Sequence, residues 1–294
     1  MNPPEVRCAA PTGDWCGEGP VWCDATQSLY WVDINRCLIH RLNRDGSVTT
    51  WVFDEPVTAL GVTGRAGTLV VALASRVILW RCDGDERGDA IFHLPGSPNV
   101  RLNDGRPDPR GAFWVGSMRN NIAGDGTSLE AGGADGVLYR IDSNGEVSEW
   151  RRDIGISNTL AWSGDGSRFY FADTLENTIY VYDYDAATGA IANPRPFFSG
   201  FDRGLPDGSA IDGEGYLWNC RWGGGCIVRI APDGSIDRVL EMPAQNITSC
   251  TFGGADYDTL YVTSAALGAP PHRLAGSLFA VKTGVFGLPE QKFL

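Results

Sequence analysis

The chain has 294 residues, with 24 basic and 36 acidic side chains and a formal charge of −12. That length buries a sizeable core in one large or two ordinary domains, and the acidic balance argues against nucleic acid or an anionic membrane surface, which need basic patches. Hydrophobic residues at 43% and charged residues at 20% exclude wholesale disorder, and no apolar run approaches the roughly 18 residues of a spanning helix.

The stretch Met1-Asn2-Pro3-Pro4-Glu5 has neither a basic start nor an apolar core, so no export signal is expected and the protein is read as cytoplasmic. Six short runs of β-branched and aromatic residues then follow one another. They are Leu29–Asp33, Leu69–Leu73, Phe113–Ser117, Phe169–Asp173, Leu217–Cys220 and Leu260–Thr263, with starts 40, 44, 56, 48 and 43 residues apart. Most are followed by a second run and a turn, as in Ile39–Gly46, Leu138–Gly145 and Ile227–Gly234. A period in the forties with about four strands per unit predicts an all-β, six-bladed propeller. No linker divides the chain, so residues 1–294 are read as one domain. Val6 to Pro11 is expected to pair with the segment Gly276–Val281 and close the ring, because closure removes exposed edges.

The long interval has a local cause. Residues 119–136 hold five glycines and no strand pattern. They read as an insertion in the third blade, either a lid over one mouth or a surface loop.

The eight cysteines contain no CxxC pair, which favours free thiols and disfavours zinc knuckles. Histidines number three, and neither a GxSxG elbow, an HExxH helix, a P-loop nor a dinucleotide fingerprint is present. Any metal would therefore be held by oxygen ligands.

Innermost strands of a propeller converge on its axis, so equivalent positions of different blades can share a site. Ten to twelve residues before four of the aromatic runs stand Glu18, Asn103, Asn158 and Asp207. A two-residue difference in hairpin length is expected to account for the variation. Asn103-Asp104-Gly105 and Pro206-Asp207-Gly208 also have turn composition, and Asn158 could close an Asx-turn, so each residue has a purely structural alternative. Four coincident phases favour a shared divalent-cation site. The matching stretches of the other two blades, Val57–Ala59 and Thr248–Cys250, would line the channel without charge.

Several stretches together resemble the sugar-lactone lactonases that include gluconolactonase and senescence marker protein 30 (regucalcin). They are Gly17–Trp22, Leu29–Ile34, Arg101–Gly105, Gly116–Met118, Ile156–Asn158, Phe171–Thr174, Pro206–Gly208 and Arg221–Gly225. The resemblance implies a six-bladed propeller holding one divalent cation through Glu18, Asn158 and Asp207. It implies that Arg101 and Asn103 orient substrate. Some members carry a glutamate shortly after the segment matching Gly116–Met118. Here Arg119-Asn120-Asn121 follows, with no acid, and Asn121 is taken as the substrate-binding residue.

The expected reaction is hydrolysis of a small-molecule sugar lactone, with the metal polarising the carbonyl and Asp207 as ligand and general base. Trp222 would form an apolar wall or pack within a blade. The oxygen donor set admits Ca²⁺, Mg²⁺, Mn²⁺, Zn²⁺ or Fe²⁺. Alternative readings are a non-catalytic calcium-binding regulatory propeller, another metal-dependent propeller esterase or phosphotriesterase, and an interaction scaffold.

Overall fold

The computed structural model describes residues 4–294; residues 1–3, where the reading for an export signal begins, lie outside the described residues. Twenty-four strands form six four-stranded antiparallel sheets, with no helix among the described residues. The six innermost strands are Gly17–Cys23, Val57–Val62, Val100–Pro107, Ser157–Trp162, Leu205–Ile211 and Asn246–Gly253. Each packs beside the next around the ring, and the last returns to the first. This is the six-bladed propeller expected from the period.

Every aromatic run lies in the second strand of its blade, where neighbouring sheets cover both faces. Ser28–Asp33 is buried at all six positions, which is why the run reads as nearly continuous apolar sequence. Outer strands such as Val48–Val52 and Ile236–Glu241 keep exposed positions and a weaker pattern. The ring closes as expected: Val6–Ala10 pairs antiparallel with Leu278–Lys282, placing Val6 opposite Val281 and Cys8 opposite Phe279. All eight cysteines are free thiols.

Blades three and five share a buried polar clamp. Asp212 Oδ1 accepts the Glu214 and Tyr216 amides, while Oδ2 accepts Trp218 Nε1 at 2.8 Å and Arg229 Nε and Nη2 at 2.9 and 2.7 Å. Asp108 repeats the arrangement with the Arg110 and Ala112 amides, Trp114 Nε1, Arg140 Nε and the Tyr184 hydroxyl. One carboxylate thus fixes the hairpin, the core tryptophan and the arginine of the third strand.

At the hairpin end of the channel, the C-terminal segment crosses the ring. The Gly287 amide donates to Tyr257 O, and the Phe293 amide donates to Val62 O. Phe293 is buried, and Glu290 accepts a bond from Thr251 Oγ1 and faces Arg106 Nε at 3.9 Å. Arg106 itself spans the axis to donate to Ser209 O at 2.9 Å.

Removing the Asp212 carboxylate would orphan the buried Trp218 Nε1 and the Glu214 and Tyr216 amides and leave the Arg229 guanidinium to Glu214 and Asp237 alone. Asp212→Ala is expected to lower unfolding free energy by about 3–5 kcal/mol in urea denaturation. A change under about 1 kcal/mol would show that the clamp is dispensable.

Candidate functional site

A cavity of about 300 Å³ lies at the end of the channel opposite the C-terminal segment. Glu18, Arg101, Asn103, Asn121, Asn158, Asp207 and Trp222 all line it, so every site residue expected from the sequence converges there. The other two blades meet the axis with Thr58, Thr248 and Ser249, which are buried and uncharged.

Local backbone geometry makes the convergence possible. The register of each innermost strand shifts by one residue at or beside the polar position: between Glu18 and Val21, Leu102 and Gly105, Asn158 and Ala161, and Pro206 and Ser209. These are β-bulges, which bend a strand and re-aim its side chains. Gly19, at a φ of 50°, and Thr159, at 52°, take the left-handed conformation immediately after Glu18 and Asn158. Gly208 answers a different demand, since a Cβ there would fall 2.1 Å from Ser249 Oγ of the next blade.

The ladder also corrects the hairpin arithmetic. Leu29 pairs with Trp22, Phe113 with Pro107, Phe169 with Trp162 and Leu217 with Ile211. Each of those partners stands four residues after its polar side chain, so the hairpins differ by one residue rather than two.

Hydrogen bonds fix which atoms face the cavity. Asn158 Nδ2 donates to Thr174 Oγ1 at 2.9 Å, which turns Oδ1 toward Asn103 Nδ2 at 3.3 Å. Thr174 in turn donates to Pro206 O at 2.8 Å, tying the fourth blade to the residue before Asp207. Arg101 Nη1 donates to Asn103 Oδ1 at 2.7 Å, so that oxygen is already engaged. Asn103 is accordingly a neighbour of the candidate ligands.

Two further carboxylates went unread in the sequence. Asp33 accepts the Trp15 and Cys16 amides at 2.8 and 3.1 Å, just ahead of Glu18. Asp173 accepts the Gly155 and Ile156 amides at 2.8 and 3.2 Å, just ahead of Asn158. The available signal was an aspartate ending the aromatic run in the two blades that supply Glu18 and Asn158.

The electrostatics would suit a bound cation. Glu18 and Asp207 are buried together in the cavity. Burial and the nearby Asp104 push Glu18 up to about 8. Burial, followed by the charges of Glu18 and Asp104, pushes Asp207 well above the usual carboxylate range. Burial raises Asp104 as well. Carboxylates crowded in this way are relieved by a divalent cation, and hard oxygen donors from Glu18, Asp207 and Asn158 Oδ1 suit one. Among the described residues no group of three His, Cys, Asp or Glu side chains could hold a metal; one of the three donors here is an amide.

Residues 119–136 form part of the cavity wall. The segment makes a β-bridge between Ile122 and Ser128, and Asn35 Nδ2 donates to Gly126 O at 2.8 Å. Ser128, Leu129 and Ala131 face the cavity.

Residues 16–266 match the family described as SMP-30/gluconolactonase/LRE-like region. The chain belongs to that family. It is 38% identical to an L-arabinolactonase of Azospirillum brasilense, over 98% of this chain and 95% of the relative. With the pentonolactonase XacC of Haloferax volcanii it shares 35% identity over 93% of each chain. The crystal structure of a calcium-binding regucalcin from Agrobacterium tumefaciens superposes with a TM-score of 0.91 at 28% identity, covering 99% of this chain and 98% of that one. The family assignment agrees with the resemblance read from the sequence motifs.

Because folding raises Glu18 from an ordinary value of 4.5 to about 8, its contribution favours the metal-free fold at low pH. That contribution is lost as pH rises through the folded value. Melting temperature in chelator is expected to fall between about pH 5 and pH 8, and added Ca²⁺ to raise it more at about pH 8 than at about pH 6. Equal Ca²⁺ shifts at both pH values would show that these carboxylates are not the ligands.

Proposed function

We propose that the protein hydrolyses sugar lactones, aldono-1,4- or 1,5-lactones to aldonic acids, with a divalent cation held by Glu18, Asn158 and Asp207. The observation that carries this reading is the placement of Arg101 and Asn103 beside a buried carboxylate pair in a cavity of monosaccharide size. Cation storage needs neither side chain, so the enzyme is preferred over the calcium-binding alternative. The pentonolactone and arabinolactone activities named for relatives support the substrate class.

A bound divalent cation would supply Lewis acidity to the lactone carbonyl. Asp207 is the proton acceptor for the attacking water, a carboxylate set in the cavity beside Arg101 and Asn103. Arg101 and Asn103 orient the sugar, and their mutual hydrogen bond fixes both before substrate arrives. Trp222 and Leu129, both lining the cavity, supply apolar surface that excludes water.

Asp207→Asn keeps an oxygen donor and removes the base. Turnover is expected to fall by about 10² or more even with saturating cation, as for loss of a general base. Arg101→Lys should act mainly through KM, since lysine keeps the charge without the planar fork. Full turnover of Asp207→Asn at saturating cation would remove Asp207 from the proton-transfer role. Absence of acid release from a panel of aldonolactones, with Ca²⁺ or Mn²⁺ present, would sink the lactonase reading.

A further inference from the structure

Four arginines are buried in the chain, and they fall into two kinds. Arg140 and Arg229 are paired with Asp108 and Asp212. Arg101 and Arg221 make no ion pair among the described residues and bond only to neutral oxygens. Arg221 is held by Asn219, Asn177 and the carbonyls of Arg203 and Gly204, a structural set. Arg101 alone of the two lines the cavity.

Its donors can be followed one by one. Nη1 donates to Leu102 O at 2.9 Å and Asn103 Oδ1 at 2.7 Å. Nε and Nη2 both donate to Asn121 Oδ1, at 3.0 and 2.8 Å. A guanidinium carries five N–H groups, so one on Nη2 is left over. Two converging donors require the oxygen of the Asn121 amide, which turns its Nδ2 the other way. Among the described residues that NH₂ group donates to nothing. A charged N–H and an amide NH₂, from two side chains that line the cavity, are therefore left without a protein acceptor, and among the described residues no carboxylate lies within ion-pair distance of the guanidinium, Glu18 acting on it only at longer range. A carboxylate at position 121 would cancel the charge and offer acceptors to sugar hydroxyls; asparagine does neither.

We propose that Arg101 and Asn121 form a receptor for an anionic substituent, so that the preferred substrate is a sugar lactone carrying a carboxylate or sulfonate away from the ring ester. This rests on the lactonase reading and narrows it. Guanidinium and amide donors suit an oxyanion with several lone pairs, and the guanidinium bond to it is charge-assisted. Asn121 is the specificity-determining residue in this arrangement.

The test compares D-glucaro-1,4-lactone, which bears a carboxylate, with neutral D-galactono-1,4-lactone and D-glucono-1,5-lactone. The expected kcat/KM for the anionic lactone exceeds that for the neutral 1,4-lactone by about 10-fold or more, the size of discrimination one polar contact supplies. Its KM should rise with added salt while the neutral substrates' values stay level. Asn121→Asp should collapse the preference, and Asn121→Ala should weaken it; both are read as the ratio between substrates, which a general loss of fold does not move. Hydrolysis of the neutral lactones with equal or better kcat/KM, independent of salt, overturns the anionic receptor and leaves the lactonase reading standing. No hydrolysis of any lactone overturns both.

Discussion

A ring of six sheets leaves one outer edge without a neighbour in sequence, and the pairing of Val6–Ala10 with Leu278–Lys282 is the interaction that supplies it. Everything at the axis depends on this closure. Glu18 comes from the first blade, Asn103 from the third, Asn158 from the fourth and Asp207 from the fifth. They meet only if the innermost strands are held at a fixed radius, and an open ring of sheets has no such radius. Long-range pairing of residues at the two ends of the chain thus sets distances among side chains that touch neither end.

Within that frame the bulges convert a regular ladder into a site. A regular strand would send alternate side chains into the blade and away from it. The extra residue in each innermost strand breaks the alternation where the ring is narrowest. Hydrogen bonding then removes the remaining freedom: Asp33 and Asp173 hold the backbone ahead of two candidate ligands, and Thr174 links Asn158 to the residue before Asp207. The cavity carboxyls of Glu18 and Asp207 make no ion pair with arginine, although Arg101 lines the same cavity, whereas those of Asp108 and Asp212 are paired with it directly. One set stabilises the blades, and the other is left facing the cavity.

Much of this was legible in the sequence, because a repeated unit writes its period in apolar residues. The six runs fall in the six second strands, and the four polar side chains of matched phase line one cavity. What escaped was register. A bulge leaves the residue count of a hairpin ambiguous by one, so Glu18 and Asn158 looked two residues out of step with Asn103 and Asp207 when they were one. The clamp escaped for a different reason: Asp108 with Trp114 and Asp212 with Trp218 share a spacing, yet nothing in spacing alone distinguishes a turn aspartate from a buried one. Between its ends, which belong to the strands Phe113–Arg119 and Gly136–Ile141, the segment 119–136 holds one isolated bridge, Ile122 with Ser128, too short to write a strand pattern. Its link to Arg101 through Asn121 is a tertiary contact that local composition does not record.

The C-terminal segment has a kinetic consequence. With Arg106 bridging to Ser209 and Glu290 seated beside it, the hairpin end of the channel is obstructed by side chains. Traffic to the cavity therefore runs through the opposite end of the channel, where Trp222 and Leu129 are among the lining residues. A reactant and the acid made from it must use that doorway in turn. The acid carries a charge its precursor lacked at the ring. Turnover in such a vessel is governed by the order of exchange at one opening, and release of the acid becomes a step on which the whole cycle can wait.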